Sequence, residues 1–480
     1  MKTFFNKLKT FLSDIFSSIK KLFIKNEPTV DERPVDKTPV DKTAVDDKPI
    51  DKTQNNNIIE EVLNVEKPEP STNNPIDPDN IKHGEIGGYV MYNKENTEIN
   101  TEFINNLKEL GISLLYINTP RGENTTLSFS EWLDIFDKFK DSGIKLMLYI
   151  YEAVSVKPKW TNSEIVKIST HPSFYGWIGE DEVSYSSYNG GNAWITRFHN
   201  EKWSDGSRKW PNIAACYYPK LSNLNSDMIG ETYYDYLKLW SSSIDIAHAD
   251  MYPFVSDRTN NAHLNIESNG SPIYSIPEGG ENWFSYLKEH LKFTKEYTDI
   301  THRLYMHSCK HVAKDNKGNL YIARPKPTEL MTKIQAYANL LAGSNGLMLF
   351  VLNDILSGNA GFGEAPFNST LNINKDTYAV IKNVITAKDF VNYKNIITNL
   401  CVSDLKNNDE LIISYANNNE YLYKSILNTS LEKTIQYEVP ANNIVLDLNS
   451  LTEIKLKENK LYDIHPGELL FIKEENIVNV

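Results

Sequence analysis

Eight short apolar runs recur between residues 84 and 353, with longer stretches of helical periodicity between them. The runs cover 84–92, 112–119, 144–152, 174–182, 212–218, 245–254, 303–311 and 346–353. The helical stretches include 100–110, 129–142, 231–243, 283–300 and 327–343. Strands joined through helices lie parallel, because a tight turn cannot connect them. Eight such units over about 270 residues fit a closed (β/α)8 TIM barrel. A doubly wound open sheet is the runner-up. As a nucleotide binder it needs a Gly-rich turn after its first strand. Gly84, Gly87 and Gly88 instead lie before or within the first run.

Punctuation supports this frame. Gly111 and Gly143 follow two of the helical stretches as stop signals, and Ser128 or Ser130 can cap the helix beginning near Trp132. Residues 376–400 read as a last helix packing back on the barrel. Residues 401–480 change to a period of two (LIISYA, TIQYEV, NIVLDL, TEIKLK, ELLFIK) with Asn-rich turns, as a small antiparallel β domain would.

The start of the chain differs. Residues 1–25 place Phe4, Leu8, Phe11, Leu12, Ile15, Phe16, Ile19 and Phe23 on one helical stripe, among six lysines and one aspartate. That pattern predicts a basic amphipathic helix lying on an anionic membrane or docking to a protein partner. Lysines interrupt every apolar stretch, so neither a Sec signal peptide nor a transmembrane helix is expected. Localisation stays open between peripheral membrane and surface-tethered. Residues 26–80 hold eight prolines, no aromatic residue and a PVDKT-type repeat, as in a disordered, semi-rigid linker.

Net charge is −13, which argues against a nucleic-acid partner. Three cysteines in 480 residues exclude a disulfide scaffold. Chemistry in a barrel belongs at the C-terminal ends of its strands. The fourth run ends in Glu180-Asp181-Glu182, and neighbouring carboxylates raise one another's pKa, which suits a general acid. On the sixth run, alternation puts His248, Asp250 and Tyr252 on the inward face. On the seventh, Tyr305, His307, Cys309 and His311 share a face. Without ligands from a second segment, this set reads as substrate hydrogen bonding through His307, with no metal and no cofactor expected. Residues 171–260 hold 17 aromatics, among them Trp177, Trp194, Trp203, Tyr218 and Trp240. Flat aromatic faces beside carboxylates point to a carbohydrate, with Trp177 and Tyr218 as stacking platforms.

Several segments resemble clan A glycoside hydrolase-like barrels. His171-Pro172-Ser173-Phe174-Tyr175-Gly176-Trp177 leading to Asp181-Glu182 is similar to their fourth-strand signature, and Asp250-Met251-Tyr252-Pro253 to their sixth-strand motif. Residues 336–350 and the closing Pro466-Gly467-Glu468 stretch resemble their last helix and strand and their trailing β domain. The resemblance covers roughly 84–480 and implies Glu182 as general acid/base, with Asp181 where an Asn usually contacts the sugar. It departs at the seventh strand, where a nucleophilic Glu belongs and His307, Ser308, Cys309, Lys310 and His311 stand instead. A second carboxylate could come from Asp250, favoured by its face assignment, or from Glu278 or Glu281. Otherwise the barrel binds glycan without cleaving it.

The expectation is therefore a 1–25 helix, a 26–80 linker, an 81–400 barrel and a 401–480 β domain. Its function is glycoside hydrolysis on an oligo- or polysaccharide through Glu182 and Asp250. Glu180, Asp181, Trp177, Tyr218, His248, Tyr252 and His307 bind substrate. The alternative is a non-catalytic glycan-binding head tethered to a membrane, cell or virion surface.

Overall fold

The computed structural model describes residues 84–475, apart from 96, 120–126, 155–158, 180–194, 211, 218–240, 250–251, 257–261, 265–282, 315–317, 358–359, 409 and 419. The amphipathic segment and the linker lie outside these residues. So do Glu180, Asp181, Glu182, Tyr218, Asp250, Glu278 and Glu281. Among the described residues, no helix is long and apolar enough to cross a membrane.

Eight strands close into a barrel: β1 Glu85–Met91, β2 Ile112–Asn118, β3 Lys145–Tyr149, β4 Phe174–Ile178, β5 Ile213–Tyr217, β6 Ile246–Ala249, β7 Thr301–His307 and β8 Gly346–Phe350. They are parallel and adjacent in chain order, and β8 pairs with β1 to close the ring. Each apolar run of the sequence supplies one strand, so the barrel is the fold. The crossover helices carry local stop and start signals. Ser128 and Glu131 form a capping box on the helix Phe129–Phe139, as Thr161 and Glu164 do on Asn162–Ser169. Ser128 rather than Ser130 is the cap, and the helix begins at Phe129, ahead of Trp132. Gly111 and Gly143 have φ of 68° and 81°, which explains glycine at both stops.

Three strand readings and one helix reading change in detail. The third run ends at Tyr149 and continues as the short helix Ile150–Val154. The sixth splits into β6 and a separate Phe254–Ser256 strand paired with Ala262–Leu264. The seventh leaves the barrel after His307, where the Ser308 amide and hydroxyl bond to the carbonyls of Phe350 and Val351. The chain then enters a four-stranded antiparallel sheet of Leu320–Arg324, Lys310–Lys314, Ala360–Gly363 and Ile355–Ser357. His311 therefore does not share the face of Tyr305; its ring stacks on Phe362 at 4.6 Å. The final helix is two, Lys375–Ile385 and Lys388–Ile397.

Beyond residue 400, six strands form one sheet: Cys401–Asn408, Leu411–Asn417, Tyr421–Asn428, Leu469–Glu475, Ile444–Asp447 and Thr452–Lys455. Ile435–Val439 pairs with Lys460–Ile464 beside it. One face of the large sheet joins the barrel core through Ile412, Ala416, Leu427 and Phe471. The other, through Ile413, Ile426, Val445 and Ile472, makes a second core with Val439 and Ile464.

Candidate functional site

The barrel interior carries polar side chains at several levels, from its floor upward. Glu85, Gly346 and Arg303 stand in register on β1, β8 and β7. A Cβ on Gly346 would lie 2.4 Å from the Glu85 carbonyl oxygen, so only glycine lets β8 approach β1 there. The Arg303 guanidinium reaches over this position and ion-pairs with Glu85. It also lies 5.9 Å from the Tyr175 ring of β4. A buried charge needs such a partner.

One level up, Tyr116 of β2 is hydrogen-bonded to Nε2 of His248 on β6, with the rings 4.9 Å apart and edge to face. His248 therefore points into the barrel, as its alternation implies. Burial, with Arg303 nearby, holds its pKa well below the ordinary histidine value, so the ring is neutral. Tyr305 of β7 lies 5.7 Å from it.

At the mouth, the ends of β1, β2, β3 and β8 form an aromatic wall. Asn118 donates to the Tyr89 hydroxyl and accepts from that of Tyr151. The Tyr149 hydroxyl stands 3.4 Å from that of Tyr89, and Phe350 lies 5.2 Å from the Tyr89 ring. Beside this wall Thr119 donates to Glu152, a fully buried carboxylate just past β3. Such a wall offers flat apolar faces and a fixed amide to a polyhydroxylated ligand. Of these residues, Tyr89 lies inside its strand, Asn118, Tyr149 and Phe350 end theirs, and Thr119, Tyr151 and Glu152 lie just past. A polar residue closing an apolar run, as at Asn118-Thr119 and Glu152, is the sequence signal that marks these positions.

Tyr252, just past β6, is buried next to Phe350 and His307, and Arg324 stacks over its ring at 4.2 Å. His307 is buried at the tip of β7, where its Nδ1 and backbone amide meet the Gln335 side-chain oxygen. Burial and Arg324 push its pKa down to about 3. Burial lifts the Cys309 thiol to about 12, so it stays protonated. Among the described residues, no three His, Cys, Asp or Glu side chains gather as a metal site.

His248, Tyr252 and His307 thus gather around one lumen, and the stacking role of Trp177 is corrected. Trp177 is fully buried on the outside of β4, its ring 5.6 Å from Phe198 and 6.5 Å from Trp160. The cause is a bulge: Leu146 pairs with Phe174 but Met147 pairs with Gly176, so one extra residue turns Trp177 toward the helices.

No family model matches the chain, and no curated protein matches it. Solved structures do. A β-galactosidase from Bacillus circulans sp. alkalophilus is 10% identical with a TM-score of 0.49, over 82% of this chain and 99% of that one. A family 27 β-L-arabinopyranosidase from Geobacillus stearothermophilus is 10% identical with a TM-score of 0.46, over 83% and 98%. A family 39 glycoside hydrolase from Bacteroides cellulosilyticus WH2 is 10% identical with a TM-score of 0.45, over 83% and 82%.

Proposed function

We propose that this barrel hydrolyses a glycosidic bond of an oligo- or polysaccharide at the C-terminal ends of its strands. The observation that carries the reading is the inward facing of β4 and β6. Ile178 pairs in register with Tyr149 of the mouth wall, and His248 faces the lumen. The reading takes Glu180, Glu182 and Asp250, which follow these two strands in the sequence, as the groups that meet the substrate. Glu182 then protonates the glycosidic oxygen, and Asp250 acts as nucleophile or base. Glu180 and Asp181 bind hydroxyls and raise the Glu182 pKa. His248 and Tyr252 orient Asp250, His307 adds a hydrogen bond, and Tyr218 stacks on the sugar.

Glu182→Gln and Asp250→Asn test the assignment on a glycan panel. Each should lower kcat at least 1,000-fold (roughly 4 kcal/mol) while leaving glycan binding within a few-fold. Full hydrolysis by either variant sinks it.

One observation favours the second reading, a tethered head that binds glycan without cleaving it. The tip of β7 carries His307, Ser308 and Cys309, all buried, where the resemblance calls for a carboxylate. Binding by wild type without turnover, unchanged in Glu182→Gln, selects that reading. In both, the 1–25 segment serves as the anchor and 26–80 as the spacer.

A further inference from the structure

One side chain of an outer helix decides how the ring at the tip of β7 presents itself. Gln335, on the helix Glu329–Leu341, is fully buried. Its side-chain oxygen lies 3.1 Å from the His307 backbone nitrogen, and its side-chain nitrogen lies 3.3 Å from the Met331 carbonyl. A backbone amide only donates and a carbonyl only accepts. These two contacts fix the orientation of the Gln335 amide, since the flipped form would set its NH2 against an N–H and its oxygen against a carbonyl. The same Gln335 oxygen stands 3.1 Å from Nδ1 of His307. The ring is neutral, because burial and Arg324 hold its pKa at about 3. A neutral imidazole carries one proton, and a lone pair on Nδ1 would face those of the Gln335 oxygen. The proton is therefore on Nδ1, and Nε2 is a bare acceptor.

We propose that Gln335 is a positioning residue that locks His307 as the Nδ1-protonated tautomer, so that Nε2 accepts a hydrogen bond from a hydroxyl of a ligand at the barrel mouth. The bond made by one ring nitrogen decides what the other can do. Nε2 is buried and has no partner among the described residues. Buried polar atoms are nearly always paired, and this one needs a donor. His307 is the register neighbour of Phe350 in the mouth wall, and its ring stands 6.4 Å from that of Tyr252. A carboxylate or an ether oxygen has no hydrogen to give, so the position selects a free hydroxyl. The lock follows from contacts within the fold. The identity of the donor as a sugar hydroxyl rests on the proposed function.

Long-range ¹H–¹⁵N spectra of the full chain labelled at histidine, with His307→Asn for assignment, report the tautomer. Wild type should show His307 protonated on Nδ1. Gln335→Met keeps the bulk but removes the acceptor, and should give a tautomer mixture with unchanged circular dichroism. Gln335→Glu keeps an oxygen for Nδ1 and should retain the wild-type tautomer. Cello-, xylo-, manno- and galacto-oligosaccharides serve as probes. One that binds should move the Nε2 resonance of wild type, and Gln335→Met should raise its Kd and KM about 5-fold with kcat within twofold. A wild-type His307 protonated on Nε2, or a tautomer indifferent to Gln335→Met, overturns the lock whether or not the protein is an enzyme. A bound oligosaccharide that leaves Nε2 unmoved overturns the acceptor role and spares the hydrolase reading. The expected tautomers with no oligosaccharide bound uphold the lock, and remove the sugar donor together with the glycan reading.

Discussion

Arg303 and Glu85, 218 residues apart in sequence, hold an ion pair inside the barrel by reaching past the bare backbone of Gly346. The Arg303 side chain is 2% exposed and that of Glu85 21%. Glu85→Ala leaves an unpaired buried cation and should cost about 3–5 kcal/mol in urea unfolding. Arg303→Met, which removes the charge and keeps the bulk, should cost less. Equal losses from the two would contradict the account.

Trp177 is a packing residue on the barrel's outer surface. Trp177→Ala should destabilise the fold by about 3–5 kcal/mol, and Trp177→Phe by less. Glycan affinity of the folded fraction, measured by calorimetry, should match wild type for both. A selective loss of affinity in Trp177→Phe would return the residue to the ligand.

Acid should unfold the protein through its histidines. Burial holds His302 and His311 at about 4, His307 at about 3, and His248 and His290 well below 6.5. The unfolded chain titrates near 6.5, so it binds more protons than the native state between these values. Stability is then complete above about pH 6.5 and declines as pH falls toward 4. At about 1.4 kcal/mol for each pH unit between the two values, fully buried His302 alone withdraws roughly 3 kcal/mol. Urea midpoints at pH 7.5 and 5.0 check this, and His302→Phe should flatten the slope. Equal midpoints at both pH values would rule it out.

The basic start of the chain should bind anionic vesicles. Full-length protein should co-sediment with phosphatidylserine liposomes, and a chain starting at Ile81 should stay in the supernatant, with salt weakening the association. Equal partitioning of the two rejects the membrane and leaves a protein partner.

The barrel was readable because each strand is a local apolar run and several crossover helices carry their own caps, as at Ser128 and Thr161. Alternation also placed His248 correctly, since β6 is regular as far as Ala249. It failed wherever the ladder is irregular. The bulge at Tyr175 reverses Trp177, and the break after His307 removes His311 from the lumen. Neither leaves a composition signal. The Arg303–Glu85 pair and the Tyr89–Asn118–Tyr151 wall depend on strands brought together by closure, and no window of sequence contains both partners.

The large sheet past residue 400 serves two interiors at once. Phe471 meets Tyr393 edge-on at 5.4 Å, and Ser414 donates to the Leu341 carbonyl at 2.9 Å, while the opposite side closes over Val439 and Ile464. A chain cut at 400 would strip the roof from the helices Glu329–Leu341 and Lys388–Ile397. The fragment beginning at 401 would bare an oily underside in turn. Neither piece is a portable module, and evolution or engineering would have to exchange them as a single block.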